Sequence, residues 1–235
     1  MNEPEIRFTP LAITRADGSS GCVAAVTPEG GFVRPEPVTV DDVDPRFGIY
    51  RYGVWFRAGL VASAQPDARP EDMRLTSAPR AAGELSEFEV WSLLERAAAP
   101  SVEQALAAPA SIGVVRARIV RVHVTASVGQ RFFLRLSFVD QAAEAYDWIV
   151  PEVAFGALAW PHVRGTELDA AFAQRFLGLC AGGQVFLTLG LTKPNHRFPG
   201  RFGGCHPLVV GVHTRPDYLQ VLSQPGGAPL RAEAP

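Results

Sequence analysis

Short apolar runs alternate with clusters of Gly, Pro and Asp over the first third of the chain, a punctuation that predicts strands rather than helices. Residues 6–14 read as a strand, a turn follows at Ala16-Asp17-Gly18-Ser19, and residues 21–26 form a second run. Pro28-Glu29-Gly30-Gly31 makes a turn before Phe32-Val33-Arg34, so a hairpin is expected there. Residues 54–64 are a further apolar strand, and 66–83, rich in Pro, Ala and charge, read mainly as loop. At Ser86 the period becomes helical. Ser86 suits an N-cap, Glu87 and Glu89 fall in the first turn, and Phe88, Trp91, Leu93 and Leu94 follow at helical spacing. Pro100 ends that helix, and Ser101 with Gln104 opens a second, short one with a capping-box pattern.

Beyond residue 110 strands return. Residues 114–125 and 131–140 flank a turn at Ser127-Val128-Gly129-Gln130, and 146–150 end at Pro151. Residues 166–179 read as a helix with Leu168, Phe172, Phe176 and Leu179 on one stripe; 185–191 and 208–213 are strands, the latter before the run 218–222. No repeat is visible at residue level. Two β-rich halves with a few helices suit small barrels, and an oligonucleotide-binding (OB) barrel needs five strands. The predicted fold is therefore mainly β with a few helices: two small OB-type β-barrels in tandem. The first OB-like domain spans 1–85, a helical connector 86–110, the second OB-like domain 111–222, and a flexible tail 223–235. The alternatives are one continuous β-rich domain or a pseudo-barrel of another type.

Composition narrows the class. With 235 residues, 47% of them hydrophobic and 20% charged, the chain can build a sizeable core and is not disordered throughout. A net charge of −2 excludes a polycation but not a local basic surface. Lys193 is the only lysine; the other cations are arginines. Cys22, Cys180 and Cys205 are odd in number and form no CxxC, which removes zinc-ribbon and thioredoxin readings and suits a reducing compartment. The start Met-Asn-Glu-Pro-Glu has no basic or apolar leader region, and no apolar run reaches the roughly 18–20 residues a membrane span needs. A cytoplasmic protein without a membrane partner is expected.

Two segments carry candidate chemistry. In Arg131-Phe132-Phe133-Leu134-Arg135-Leu136-Ser137-Phe138 the even positions are apolar and should face the core, which leaves Arg131, Phe133, Arg135 and Ser137 on the other face. Such a face can stack a base on Phe133 between guanidiniums that hold phosphates. The preceding strand adds Arg116, Arg118 and Arg121, and no acid occurs between Glu103 and Asp140. The rival reading is a solvated face with one stray Phe. The second segment is the loop from Lys193 to His206, which contains Arg197, Phe198, Arg201 and Phe202, in an acid-free stretch from Ala170 to Pro216. A polar, glycine-rich loop of this length is not core filler. Phe198 and Phe202 can stack bases or anchor the loop; Lys193, Arg197 and Arg201 can contact phosphates.

Other chemistry is thinner. Cys205, His206, His213 and His196 have no standard zinc spacing, and loop histidines with a small thiol are the simpler reading. Asp41, Asp42 and Asp44 with Glu71 and Asp72 would be the acids of a metal-dependent nuclease, but surface turns explain them. Cys205 beside His206 would be a hydrolase thiol with no orienting third group. GxSxG, P-loop, HExxH and dinucleotide-binding patterns are absent. Arg34, just before Pro35, ends an extended strand where it can meet a ligand or a nearby acid.

The strand holding Cys22, the turn after it and Phe32-Val33-Arg34-Pro35 resemble the bacterial dual OB-containing domain family. So do Pro70-Glu71-Asp72 and, near the end, the strand into Lys193-Pro194 and the final strand through Gly211-Val212-His213. The resemblance covers about residues 6–222 and implies two OB-type barrels, nucleic-acid binding and a setting in bacterial conflict or defence. It brings no catalytic residue. It departs at Gly204-Cys205-His206-Pro207-Leu208, where the family often has a tryptophan-containing strand.

The first expectation is a non-catalytic module that binds single-stranded nucleic acid through Arg116, Arg118, Arg131, Phe133, Arg135, Lys193, Arg197, Phe198, Arg201 and Phe202, with no cofactor and no metal. The second is an adaptor docking a protein partner, since Arg and aromatic residues also dominate interface hot spots. The third is an enzyme, a nuclease or a thiol hydrolase.

Overall fold

The computed structural model describes residues 5–15, 19–65, 69–127, 131–194 and 202–223. Among them are, in chain order, β1 (Glu5–Arg15), β2 (Gly21–Val26), β3 (Phe32–Glu36), β4 (Val54–Ala62), β5 (Asp72–Leu75) and β6 (Arg80–Glu84). These are followed by α1 (Glu87–Ala97), β7 (Ala98–Ala99) and α2 (Val102–Ala105). The second half contains β8 (Ile112–Ala126), β9 (Phe132–Asp140), β10 (Ala145–Ile149), α3 (Val153–Ala159), β11 (Val163–Arg164), β12 (Glu167–Leu168), α4 (Ala170–Gly182), β13 (Gln184–Leu191), β14 (Pro207–Arg215) and α5 (Tyr218–Leu222).

The chain folds into two closed five-stranded barrels of OB type in tandem. The first closes in the order β1-β2-β3-β5-β4 and back to β1, with β6 flanking β4. The second closes as β8-β9-β10-β14-β13 and back to β8. Position for position the two orders are the same, and each contains one parallel pair, β3 with β5 and β10 with β14. Alternation along the strands explains both interiors. In β9, Leu134, Leu136 and Phe138 point inward and join Val122, Val124, Tyr146 and Trp148 in the core of the second barrel. Phe8, Val23, Ala25, Tyr50, Phe56 and Leu60 fill the first.

The helix α1 lies between the barrels as a wedge. Its buried Trp91 and Leu94 meet Leu11 and Trp55 of the first barrel and Val114 and Phe186 of the second. Ser86 caps it, accepting the Glu89 N–H while the Glu89 carboxylate accepts the Ser86 N–H, a complete capping box. Ser86→Ala should cost about 1 kcal/mol of stability, read as a lower thermal midpoint; an unchanged midpoint would show that the cap contributes nothing. Ser101 accepts the Gln104 N–H, but no reciprocal bond from Gln104 accompanies it. Strand β14 approaches the first barrel so closely that a Cβ on Gly211 would strike the Leu11 carbonyl oxygen.

Three departures from the expected elements have physical causes. The stretch 66–83 holds strand β5 and most of β6 rather than loop alone. Every residue of β6 is at least partly exposed, and a strand with no buried face carries no hydrophobic period. The helix expected over 166–179 begins only at Ala170, because Glu167–Leu168 pairs with Val163–Arg164 and Asp169 caps the helix by accepting the Phe172 N–H. Helix α3 follows Pro151 in a segment of small apolar residues that offers no polar face to mark it. No helix among the described residues is long and apolar enough to cross a membrane. Of the expected tail, only Ser223 lies within the described residues.

Candidate nucleic-acid interface

The outward face of β9 is read across three strands. Phe133 pairs with Thr125; Arg135 lies between His123 and Ile149; Ser137 lies between Arg121 and Asp147. Phe133 is half-buried and Arg131 exposed. Phe132 departs from the expected inward face and is 43% exposed, because it pairs with Ala126 at the hairpin end, past the barrel interior.

Arg135 is not a bare cation. Its Nε donates to Asp147 Oδ2 at 3.1 Å and its Nη2 to the Asp147 carbonyl, while Ser137 Oγ donates to Asp147 Oδ1 at 3.3 Å. His123 Nε2 lies 3.7 Å from the same carboxylate. Burial, ahead of the opposing pull of Asp147, holds the His123 pKa below its ordinary value, so the ring is neutral near pH 7. Asp147 is the residue that reasoning on the Arg-Phe-Arg strand missed. Its signal was the alternation Ala145, Asp147, Ile149, which sends the acid outward once β10 is paired with β9. The pair is partly solvated, the Arg135 side chain 23% and Asp147 45% exposed, and such pairs are worth only about 0–1 kcal/mol, so a phosphate can compete for the guanidinium.

Arg116 and Arg118 are not brought to this patch. Arg116 lies nine residues from Thr125 along β8, about 30 Å at an extended rise, with its guanidinium 5.3 Å from the Phe186 ring centroid beside α1. Arg118 is exposed opposite Val139.

The start of β14, where the connection from β13 ends, lies one strand away from the patch. Ile149 registers with Arg135 on one side and with Leu208 on the other, so strand tilt sets the start of β14 beside the ends of β9 and β10. The neck of the loop is pinned: Thr192 N–H donates to the His206 carbonyl at 3.0 Å and His206 N–H to Thr192 Oγ1 at 2.8 Å. Lys193 is exposed just above this neck. Phe202 is half-buried and meets Trp148 edge-on at 6.0 Å, anchoring the loop to the end of the barrel. Arg197, Phe198 and Arg201 lie outside the described residues, as does His196.

Of the five carboxylates considered for a nuclease, four have their own partners. Asp42 accepts from Thr39; Asp44 holds Arg15 and Arg46; Glu71 takes the N–H and hydroxyl of Ser111; Asp72 takes Arg34 and Arg69. His213 is directed away from Cys205, its Nε2 lying 3.0 Å from both the Leu11 carbonyl and Thr188 Oγ1. The carbonyl can only accept, so Nε2 carries the proton. No group of three His, Cys, Asp or Glu among the described residues is arranged to hold a metal ion.

No family model matches the chain, and no curated protein matches it.

Between the barrels runs a cleft of about 630 Å³. Thr14, Arg15, Ser20 and Cys22 line it from the first barrel, and Pro151, Leu191, Thr192, Lys193 and Leu208 from the second. It thus begins where β10 ends and where the pinned loop leaves β13. Beneath it the barrels are clamped by charge. Arg34 Nη1 donates to Asp72 Oδ1 at 2.5 Å and Nη2 to Ser111 Oγ at 3.1 Å, and Arg69 Nη1 donates to the Leu191 carbonyl at 2.9 Å. The acid left open as a partner for Arg34 is Asp72.

A second junction is formed around Glu152. Its carboxyl accepts the Tyr52 hydroxyl of the first barrel at 2.7 Å and the Val212 N–H of the second at 2.8 Å. Burial dominates there and pushes the Glu152 pKa up to about 8.

Proposed function

We propose that the chain is a non-catalytic nucleic-acid-binding module that carries a single strand across β9 and β10, between the 127–131 hairpin and the loop from β13 to β14. One observation carries this reading. In an OB barrel the face of strands two and three and the loops joining strands one to two and four to five take oligonucleotides. In the second barrel those elements are β9, β10, residues 127–131 and residues 192–206, the same elements that hold Arg131, Phe133, Arg135 and Lys193. Phe133 serves as the stacking platform, the cations hold phosphates, and Arg135 exchanges Asp147 for a phosphate oxygen. Arg197, Phe198 and Arg201, outside the described residues, are given phosphate and stacking roles from the sequence alone. The resemblance to the bacterial dual OB-containing domain family agrees with this assignment and adds a cytoplasmic role in conflict or defence.

The adaptor reading is favoured by exposed aromatics away from that face, Phe88 at 76% and Phe47 at 66%. Fluorescence anisotropy with labelled single-stranded DNA, single-stranded RNA and duplex DNA at low and physiological salt separates the two. Salt-sensitive binding that prefers single strands is expected. Phe133→Ala should weaken it about tenfold, since one stacked base is worth roughly 1–3 kcal/mol, and Arg131→Ala should lower the salt slope. Absence of binding at low salt would overturn the proposal and favour the adaptor.

A further inference from the structure

The cleft between the barrels is a second place with the shape and chemistry of a ligand site. Its walls are the outer surfaces of two sheets, so it is slot-like. On the first-barrel wall β1 and β2 set Ala12 against Ala24 and Thr14 against Cys22, four small side chains in register. Gly190, Leu208 and Val210 face them from β13 and β14. Ala12 and Ala24 are sealed at the deep end, where Ile112 and Val210 pack on them. The Thr14 and Cys22 portion with Leu208 opposite remains open to a flat group. Clefts at such junctions, apolar inside with a few polar groups at the mouth, are common ligand sites.

Four cations and one acid line the cleft, the acid being Glu36, which lies 3.8 Å from Arg69. Of the cations, Arg34 and Arg69 are committed to Asp72. Arg15 is not committed in the same way. Its side chain is 53% exposed and its contact is with Asp44 Oδ2 at 3.3 Å, yet Asp44 already accepts the Arg46 backbone N–H at 2.9 Å and two guanidinium contacts from Arg46. Arg15 can therefore turn to an incoming anion without leaving Asp44 unpaired. Lys193 stands exposed on the opposite lip, and Ser20 and Thr192 also line the cleft.

A planar ring inside and an anion at the mouth describe a nucleotide. We infer that the inter-barrel cleft is a nucleotide pocket, its ring against the Thr14–Cys22 wall and its phosphate at Arg15 and Lys193, filled by the end of the strand that lies on the second barrel. This rests on the reading above, because the cleft opens at Pro151 and Lys193, where the β9–β10 face ends. The strand passes from Phe133 over the end of β10 and turns in between the barrels.

Two thiols make the test internal to the wild-type protein. Cys22 lines the cleft, whereas Cys205 lies in the loop stub facing Phe202 and reports on the β9–β10 side. Cys180 is buried in α4 and serves as the unreactive control. Burial raises the Cys22 thiol above its ordinary pKa despite Arg34 and Arg69, so labelling with N-ethylmaleimide is run at mildly alkaline pH and followed by peptide mass spectrometry. The probes are an oligothymidylate of about twelve nucleotides, within OB-fold site sizes, and thymidine monophosphate. The oligonucleotide is expected to slow modification of both Cys22 and Cys205 by at least about fivefold. Protection of Cys205 with Cys22 labelled at its free rate under both probes would overturn the pocket and leave the strand-binding face standing. Protection of Cys22 alone would support the pocket and overturn that face. Equal protection of Cys22 by the mononucleotide would make free nucleotide the occupant and overturn the strand-end assignment, and no protection anywhere would overturn both readings. Arg15→Ala should weaken Cys22 protection severalfold while leaving that of Cys205 in place.

Discussion

Asp72→Ala should destabilise the protein by about 3–5 kcal/mol, the usual cost of removing one partner from a buried ion pair. The Asp72 side chain is 1% exposed and that of Arg34 3%, so neither charge has water to fall back on. Burial by itself would raise the Asp72 pKa. The Arg69 backbone N–H and the guanidiniums of Arg34 and Arg69 outweigh it and hold the carboxyl below its ordinary 3.8. The stability this pairing gives is complete above that value and is lost as pH falls through the lower, folded-state one. Removing the carboxylate strands Arg34 beside Ser111 and frees Arg69 from the element that aims it at the Leu191 carbonyl. The loss spreads to the junction, since β3 and β5 are tied through these groups to the start of β8 and the end of β13. Denaturant midpoints measure it directly. The double variant Arg34→Met with Asp72→Leu should recover much of the loss, because an apolar pair of similar volume needs no compensating charge. A shift in Asp72→Ala of only about 0.5 kcal/mol, the size of an ordinary surface change, would refute the clamp.

The clamp also shows where sequence reading stops. Arg34-Pro35 and Pro70-Glu71-Asp72 both stand out along the chain, yet nothing local says that one answers the other across 38 residues. Their link follows from the parallel register of β3 and β5, which sets Arg34 beside Asp72. The long strands were legible because β9 buries alternate residues, Leu134, Leu136 and Phe138, while β1 and β13 bury continuous runs. β6 was not, because it buries neither. The shared strand order of the two barrels leaves no visible repeat, since a barrel asks only for inward and outward alternation and many sequences supply it. At the candidate interface the Arg131, Phe133 and Arg135 alternation was legible from β9 alone. The neutralising Asp147 needed the neighbouring strand, and the separation of Arg116 from Phe133 needed the length and closure of β8. Glu152 had no signal: an acid after Pro151 reads as a turn, and only the packing of both barrels over it makes it a buried group.

That burial gives the second large effect, a loss of stability as pH rises. Glu152 is 2% exposed, and its pKa is about 8 in the fold against an ordinary 4.5, so the folded protein holds a proton that the unfolded chain releases. Between those values stability falls with pH by roughly 1.4 kcal/mol per unit for one proton, and above about 8 the cost is constant. Below 6.5 a second group interferes. His213, pushed down to about 4 by burial, resists protonation in the fold and lowers stability as pH falls, opposing Glu152. Above 6.5 His213 is neutral in both states, which leaves the interval from 6.5 to about 8 to Glu152. Tyr52 and Tyr218 face the carboxyl but stay protonated there, their hydroxyls raised well above the ordinary value by burial. Asp217, raised by burial from 3.8, acts in the same direction as Glu152 at lower pH. Glu152→Gln keeps the shape of the acid and has no charge to develop; its amide oxygen can accept from either Tyr52 or Val212 but its NH2 from neither, a loss that does not vary with pH. Wild type already carries part of the cost at pH 6.5, so the stability of Glu152→Gln relative to wild type, read from denaturant midpoints, should rise by about a further 2 kcal/mol from the acid to the alkaline end of the interval. Parallel profiles for the two proteins would mean that Glu152 is ionised in the fold. The carboxylate would then have to be stabilised by Tyr52, Val212 and Tyr218 strongly enough to offset its burial, and the junction between the barrels would be held by a charge rather than by a proton.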